Sequence, residues 1–213
     1  MVDVSLYAAF LVAALALCVT PGPDMMFIVA MGGRGGPATG VMAALGVASG
    51  ALVHALAAMF GMSALFTNLP VLYHVLRWGG AAYLLYLAIR AFRDRSAPAA
   101  GDGGATPGNP GPGRLRAFRQ GMVTNLLNPK VILFNIAFLP QFVNPGLGHM
   151  VVQFLILGLT LVLIGLAVDA SVGLLSGRLS LMLQRSRRVA RGLNVFSGAV
   201  FTGLAVRLVT AQD

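Results

Sequence analysis

The sequence predicts an all-α integral membrane protein with six transmembrane helices, arranged as two inverted three-helix halves whose first and fourth helices are broken by proline. Three observations carry that prediction. Of 213 residues, 57% are hydrophobic and 10% charged, with a mean hydropathy of +0.83, whereas a soluble domain carries roughly 25% charged residues. Apolar stretches long enough to cross a bilayer recur along the whole chain. The basic residues gather between alternate stretches rather than spreading evenly.

An α-helix needs about 20 mostly apolar residues to span a membrane. Such stretches lie near 4–31, 38–66, 70–92, 118–143, 148–176 and 191–210. Five full spans remain the alternative if one segment is re-entrant. The start, MVDVSLYAAFLVAALALC, is acidic rather than basic, so it is expected to be a retained span and not a cleaved signal. The third stretch has the shortest charge-free centre, and its Arg77 and Arg90 are expected to snorkel to opposite interfaces.

Arg34, then Arg90 to Arg119, then Arg178 to Arg191 place twelve basic residues after the first, third and fifth stretches. Only Arg77 and Arg207 fall on the other side, and the one lysine, Lys130, lies inside a stretch. Positive loops stay in the cytoplasm, so both termini are expected outside. The net charge of +9 is thus an orientation signal and an anionic-lipid contact, not a nucleic-acid footprint. Residues 93–117 are rich in Gly, Pro and Ala and are expected to be a flexible cytoplasmic linker. The linker divides a single transporter domain, 1–213, into halves 1–92 and 118–213. Three spans per half would insert the second half upside down relative to the first, as in inverted-repeat transporters.

Asp24, Lys130 and Asp169 sit well inside spans, with His54 as a fourth ionisable candidate. Each charge near the bilayer centre costs about 2.5–3.5 kcal/mol on insertion scales. At about 1.5 Å per residue, Asp24 and Lys130 each lie about 15 Å below the nearest flanking arginine. They can meet near the midplane, and they are expected to pair when the site is empty. Both follow a helix break. In TPGPD, Pro21 and Pro23 free the carbonyls of Leu17 and Val19, and Gly22 relaxes the backbone between them. In NLLNPK, Pro129 frees that of Asn125. Broken backbone at depth survives only where it is buried in protein or lines a wet cavity. Two such breaks at corresponding positions therefore point to a binding site. A plain kink or a structural ion pair is the competing reading of these residues.

His54 is expected to be a packing residue more than a proton carrier, whereas Asp169 suits proton coupling. Gly46 and Gly50 form a GxxxG expected to mark close helix packing, as are Gly158, Gly165, Gly198 and Gly203. The lone Cys18 excludes an intrachain disulfide and a cysteine metal cluster. An intramembrane metalloprotease needs a motif such as H-E-x-x-H, but the chain has no Glu and three scattered histidines. An aspartyl dyad of Asp24 and Asp169 is not excluded by sequence, although Lys130 near Asp24 argues against a shared proton. No enzyme activity, cofactor or metal site is expected. A cation or metal exporter or channel is the alternative function, kept open by Met25 and Met26 beside Asp24.

TPGPD with GVMAALGVASGALVHALAAMFG resembles the first two spans of the lysine exporter (LysE) and homoserine/threonine resistance (RhtB) family of amino-acid exporters. FRQGMVTNLLNPKVILFNIAFLPQFV looks like that family's fourth span, and LNVFSGAVFTGLAVRL is similar to its closing span. The resemblance covers all but the linker. It implies a proton-driven exporter of small amino acids or related metabolites in the bacterial inner membrane. On chemical grounds, the substrate carboxylate would meet Lys130 and the N–H groups after Pro129. Its ammonium would meet Asp24 and the carbonyls freed by Pro21 and Pro23, with Gly22 between them. Thr20, Asn125 and Asn128 would orient it, and Asp169 or Asp24 would carry the proton. The partners are then an amino acid, protons and lipid, with homo-oligomerisation left open.

Overall fold

The structure, a computed structural model, describes residues 2–68, 70–93 and 113–210. Its regular elements are all helical among the described residues: α1 (Val4–Val19), α2 (Pro23–Gly35), α3 (Pro37–Asn68), α4 (Pro70–Arg93), α5 (Arg114–Leu126), α6 (Pro129–Leu133), α7 (Met150–Arg185) and α8 (Arg187–Thr210). A π-helical turn, Phe134–Phe138, and a 3₁₀ turn, Leu139–Phe142, continue α6. The order repeats: a broken pair, a long helix and a further helix, then the same again.

Helices α3, α7 and α8 each contain a stretch long and apolar enough to cross a membrane. The pairs α1–α2 and α5 to Phe142 pass the same test when each is joined across its bend, of 47° and 48°. Helix α4 is a sixth rod, 24 residues long, its hydropathy lowered by Arg77, Arg90 and Arg93. Large apolar side chains face outward around the bundle, among them Phe60, Trp78, Leu163 and Val206. A lipid-facing surface needs such side chains, and the protein is a multi-pass membrane protein.

Helix boundaries follow the local chemistry. Asp3 caps α1 by accepting from the backbone N–H groups of Ser5 and Leu6. Proline opens α2, α3, α4 and α6 at the position where a missing N–H costs nothing. Helix α7 runs to Arg185, beyond the expected end of its span at 176. Helix α5 begins at Arg114, so the last residues of the expected 93–117 linker are helical. The remainder of that linker, 94–112, lies outside the described residues.

In lipid, helices associate by close packing rather than by hydrophobic exclusion. Here α3 is the central element, packed on α7 along one face and on α5 along another, while α4 packs on α8. Gly46 and Gly50 allow the α5 contact: a Cβ at Gly46 would run into the Phe118 carbonyl, and one at Gly50 would lie 2.9 Å from the Met122 carbonyl. Gly40 and Gly173 let α3 and α7 touch backbone to backbone. Gly158 against Ala55 and Gly198 against the Phe92 ring are also tight. Two glycines differ from expectation. Gly203 faces open space, and a Cβ at Gly165 would make only an ordinary 3.7 Å contact with Cys18.

Arg77 does not snorkel. It is buried, and its Nε donates to the Leu208 carbonyl at 2.8 Å while Nη2 reaches that of Val209 at 3.4 Å. The last carbonyls of a helix lack intrahelical partners and carry the negative end of its dipole. The end of α8 therefore gives this guanidinium a better berth than the bilayer interface would. Beside it, Phe10, Phe134, Phe138 and Phe142 stack into an apolar core, with the Arg207 guanidinium 4.5 Å from the Phe142 ring centre.

Candidate functional site

The two helix breaks meet. Leu17, Cys18 and Thr20 at the end of α1, Asp24 and Met25 at the start of α2, Asn125 near the end of α5, and Lys130 in α6 line one cavity of about 60 Å³. That volume gives room for a few waters. Helices α3 and α7 close it with mostly apolar side chains, plus Asp169. Of the sequence-derived candidates, Thr20, Asp24, Asn125, Lys130 and Asp169 therefore converge on the cavity, and Asn128 bonds directly to Asp24.

Both breaks are built alike. Pro23 and Pro129 occupy the first helical position, and the residue after each carries the charge. Asn128 caps α6 by accepting the Lys130 backbone N–H on Oδ1 at 3.0 Å. That bond fixes the amide orientation, so its Nδ2 donates to Asp24 Oδ2 at 2.8 Å. Asn125 Nδ2 donates to the same oxygen, also at 2.8 Å. Among the described residues, Asp24 Oδ1 is buried without a partner. Asp24 sits in the first turn of α2, whose N-terminal N–H groups and dipole favour a negative charge.

The expected direct pairing of Asp24 with Lys130 is not what holds them. Lys130 Nζ donates to the carbonyls of Thr20 at 3.1 Å and Leu17 at 3.4 Å. The physical reason lies in the breaks. Proline at 21 frees the Leu17 carbonyl, and a carbonyl at this depth must find a donor. The Thr20 N–H reaches the Leu17 carbonyl at 3.2 Å and the lysine adds a second donor, while the two asparagine amides satisfy one carboxylate oxygen. Gly22 is extended, at φ −156° and ψ −175°, a conformation open to any residue. Its smallness has another use: a Cβ there would lie 3.0 Å from Lys130 Nζ.

The second break mirrors the first. The Asn125 carbonyl, freed by Pro129, accepts from the Asn128 backbone N–H at 2.9 Å, and His54 Nε2 of α3 lies 3.4 Å from it. His54 does not line the cavity, and its contact is with backbone, as a packing histidine's would be. The freed Leu17 and Asn125 carbonyls are thus each met by a side chain from the other repeat of the fold.

Asn135 and Gly165 were not among the expected site residues, yet both line the cavity. Asn135 stands on the π-helical turn, where Nδ2 donates to the Val131 carbonyl at 2.9 Å and Oδ1 is buried without a partner among the described residues. Single π-turns concentrate at functional sites. A polar residue within VILFNIAFLP was the available signal, but the wide turn that places it is not written in the hydrophobic pattern. Cys18, expected as packing, lines the cavity as well. Among the described residues, no group of three or more His, Cys, Asp or Glu side chains could hold a metal ion.

The chain is 36% identical to an uncharacterized membrane protein of Pseudomonas aeruginosa over 199 residues, 90% of this chain and 88% of that one. It is 32% identical to a leucine efflux protein of Klebsiella pneumoniae over 213 residues, 97% of this chain and 96% of that one. A leucine efflux protein of Salmonella typhimurium is 30% identical over 208 residues, 97% of this chain and 96% of that one. No solved structure matches. The model of the LysE type translocator family matches residues 15–212, and the chain belongs to that family.

Proposed function

We propose that the protein exports amino acids from the bacterial cytoplasm across the inner membrane by proton-coupled alternating access, with both termini outside. The observation that carries this reading is the convergence of two helix breaks on one buried cavity holding Asp24 and Lys130. Similarity to leucine efflux proteins over nearly the whole chain supports amino acids as the cargo.

The chemistry of a zwitterion fits these groups. Lys130 spends two of its N–H donors on the Leu17 and Thr20 carbonyls, and an ammonium has three. The third takes the substrate carboxylate, close to the opening turn of α6. Asp24 Oδ1, which has no partner, takes the substrate ammonium. The asparagine amides on Oδ2 keep that carboxylate in place. The cavity has room for waters rather than for an amino acid, so the two breaks separate on loading. In broken-helix transporters, access alternates by rocking one repeat against the other. Asp169, on the same cavity, carries the exchanged proton.

The test is uptake of labelled amino acids into proteoliposomes with an imposed pH gradient. Gradient-dependent accumulation of leucine or a similar amino acid, lost in Asp24→Asn, is the expected result. The substituted amide still accepts from Asn125 and Asn128 through its carbonyl, so the variant keeps those two bonds while replacing the charge, and the acceptor offered to the ammonium, by an NH2 donor. Accumulation at the wild-type rate in Asp24→Asn would overturn the site. Uptake of a divalent cation with no amino-acid uptake would overturn the cargo.

A further inference from the structure

Most glycines on the α3–α7 and α3–α5 seams are explained by contact. A Cβ at Gly40, Gly46, Gly50, Gly121 or Gly173 would collide with the backbone of a neighbouring helix. Gly165 of α7 is not explained that way. A Cβ there meets only the Cys18 Sγ atom, at an ordinary 3.7 Å. Gly165 nevertheless lines the cavity, and the smallest residues that α3 contributes to the same cavity are Ala48 and Ala51, three positions apart on one helix face. The packing would tolerate a side chain at 165, whereas the cavity would be filled by one.

The cavity is also polarised. Asp24, Asn125 and Lys130 bring charge and amides to it, while α3 and α7 line it with Val47, Leu161, Val162 and Leu166, with Asp169 as their one polar contribution. If the main-chain groups of a zwitterion occupy the polar end, its side chain is left with the apolar wall.

We infer that Gly165, with Ala48 and Ala51, forms an apolar subsite for the side chain of the exported amino acid, and that the missing side chain at 165 sets the largest one admitted. The substrate class is amino acids with uncharged aliphatic side chains of branched size. This assignment rests on the exporter reading above. A cationic side chain would meet only Asp169 on that wall, where it would compete with the proton that the exporter reading assigns to that carboxylate, and is rejected for that reason. An added methyl group at 165 works against long side chains only.

The experiment uses the full chain in proteoliposomes, with labelled leucine and labelled alanine as separate probes. Wild type prefers leucine, and unlabelled valine competes while lysine does not. Gly165→Ala lowers the leucine-to-alanine preference about tenfold, the discrimination that one methylene supplies in an apolar pocket. Gly165→Val lowers it further, and Ala51→Val does the same from the opposite helix. Cys18 gives a second readout, independent of transport. It is the chain's one cysteine and lines the cavity, so a small methanethiosulfonate reagent reports whether the cavity is occupied. Leucine protects Cys18 in wild type but not in Gly165→Val, where alanine still protects it. A preference ratio unchanged by these substitutions, or leucine and alanine falling in parallel, would overturn the subsite. Absence of uptake and of protection by any amino acid in wild type would instead overturn the exporter reading beneath it.

Discussion

Lys130, one residue past the second helix break, places its Nζ 3.1 Å from the carbonyl oxygen of Thr20 at the end of the first. The two breaks are thereby tied to each other through a charge that also faces the cavity. One side chain repairs the backbone of the opposite repeat and presents a cation to whatever enters.

This double use predicts the behaviour of Lys130 variants. Removing a buried, hydrogen-bonded charge that meets a ligand charge costs about 2–5 kcal/mol. Lys130→Ala is therefore expected to weaken substrate binding by roughly 30-fold or more. Lys130→Arg keeps the charge but should not restore transport. A planar guanidinium differs in shape and hydration from a compact ammonium, and the ammonium already sits 3.0 Å from where a Cβ on Gly22 would be. Substrate protection of Cys18 against thiol reagents measures the binding of both variants. Wild-type transport in Lys130→Arg would show that charge alone suffices.

The glycines of α3 and α8 predict a contrast in stability. Gly46 faces the Phe118 carbonyl so closely that any side chain must push α5 away, whereas Gly203 faces open space. Overpacking a close contact costs about 1–3 kcal/mol, occasionally more. Thermal unfolding in detergent should show Gly46→Ala lowered in Tm and Gly203→Ala unchanged. Equal shifts in the two variants would mean that the α3–α5 seam is looser than these distances state.

Much of this arrangement was legible in the sequence, and the reason is physical. Breaking a helix in lipid is costly enough that TPGPD and NLLNPK stand out, and the one intramembrane lysine marks a place where charge is needed. Those two motifs placed Thr20, Asp24, Asn125, Asn128 and Lys130 in one site. Their partners were harder to foresee. Opposite charges suggest a direct pair, but freed carbonyls compete for the ammonium and asparagine amides for the carboxylate, and that competition depends on distances across helices. Asn135 escaped because a π-turn re-aims a side chain without altering composition. Gly165 and Gly203 resembled packing glycines because a glycine on an apolar helix has one spelling, whatever faces it.

At the end of the bundle away from the breaks, Asp3 accepts from the Ser5 hydroxyl, the Ser5 and Leu6 backbone N–H groups and Asn144 Nδ2. These bonds, led by the one from the Ser5 side chain, pull its carboxyl down to about 2. A group whose folded value is depressed contributes stability above its ordinary range and loses it as pH falls through the folded value. The tie between the start of α1 and the turn before α7 should therefore hold at neutral pH and weaken between about pH 4 and pH 2. Amide hydrogen exchange at Ser5 and Leu6 reads this directly. Asp3→Asn should remove the acid-dependent rise in exchange, and an unchanged pH profile in that variant would show that another group causes it.

Asp169 allows the coupling step to be separated from binding. It lies on the cavity with Asp24 and Lys130, on a helix that neither break interrupts. If it carries the proton, a neutral amide at 169 leaves substrate recognition to Asp24 and Lys130 but removes the group that exchanges with the gradient. Asp169→Asn should therefore retain exchange of labelled for unlabelled amino acid across the vesicle membrane while losing accumulation driven by a pH gradient. Asp24→Asn should lose both. Comparing counterflow with gradient-driven uptake in the two variants distinguishes the roles. Gradient-driven accumulation that survives in Asp169→Asn would move the proton to Asp24, whose Oδ1 is the unpartnered carboxylate oxygen at the break. Substrate ammonium and proton would then compete for one atom, and export would be an obligatory exchange at that oxygen.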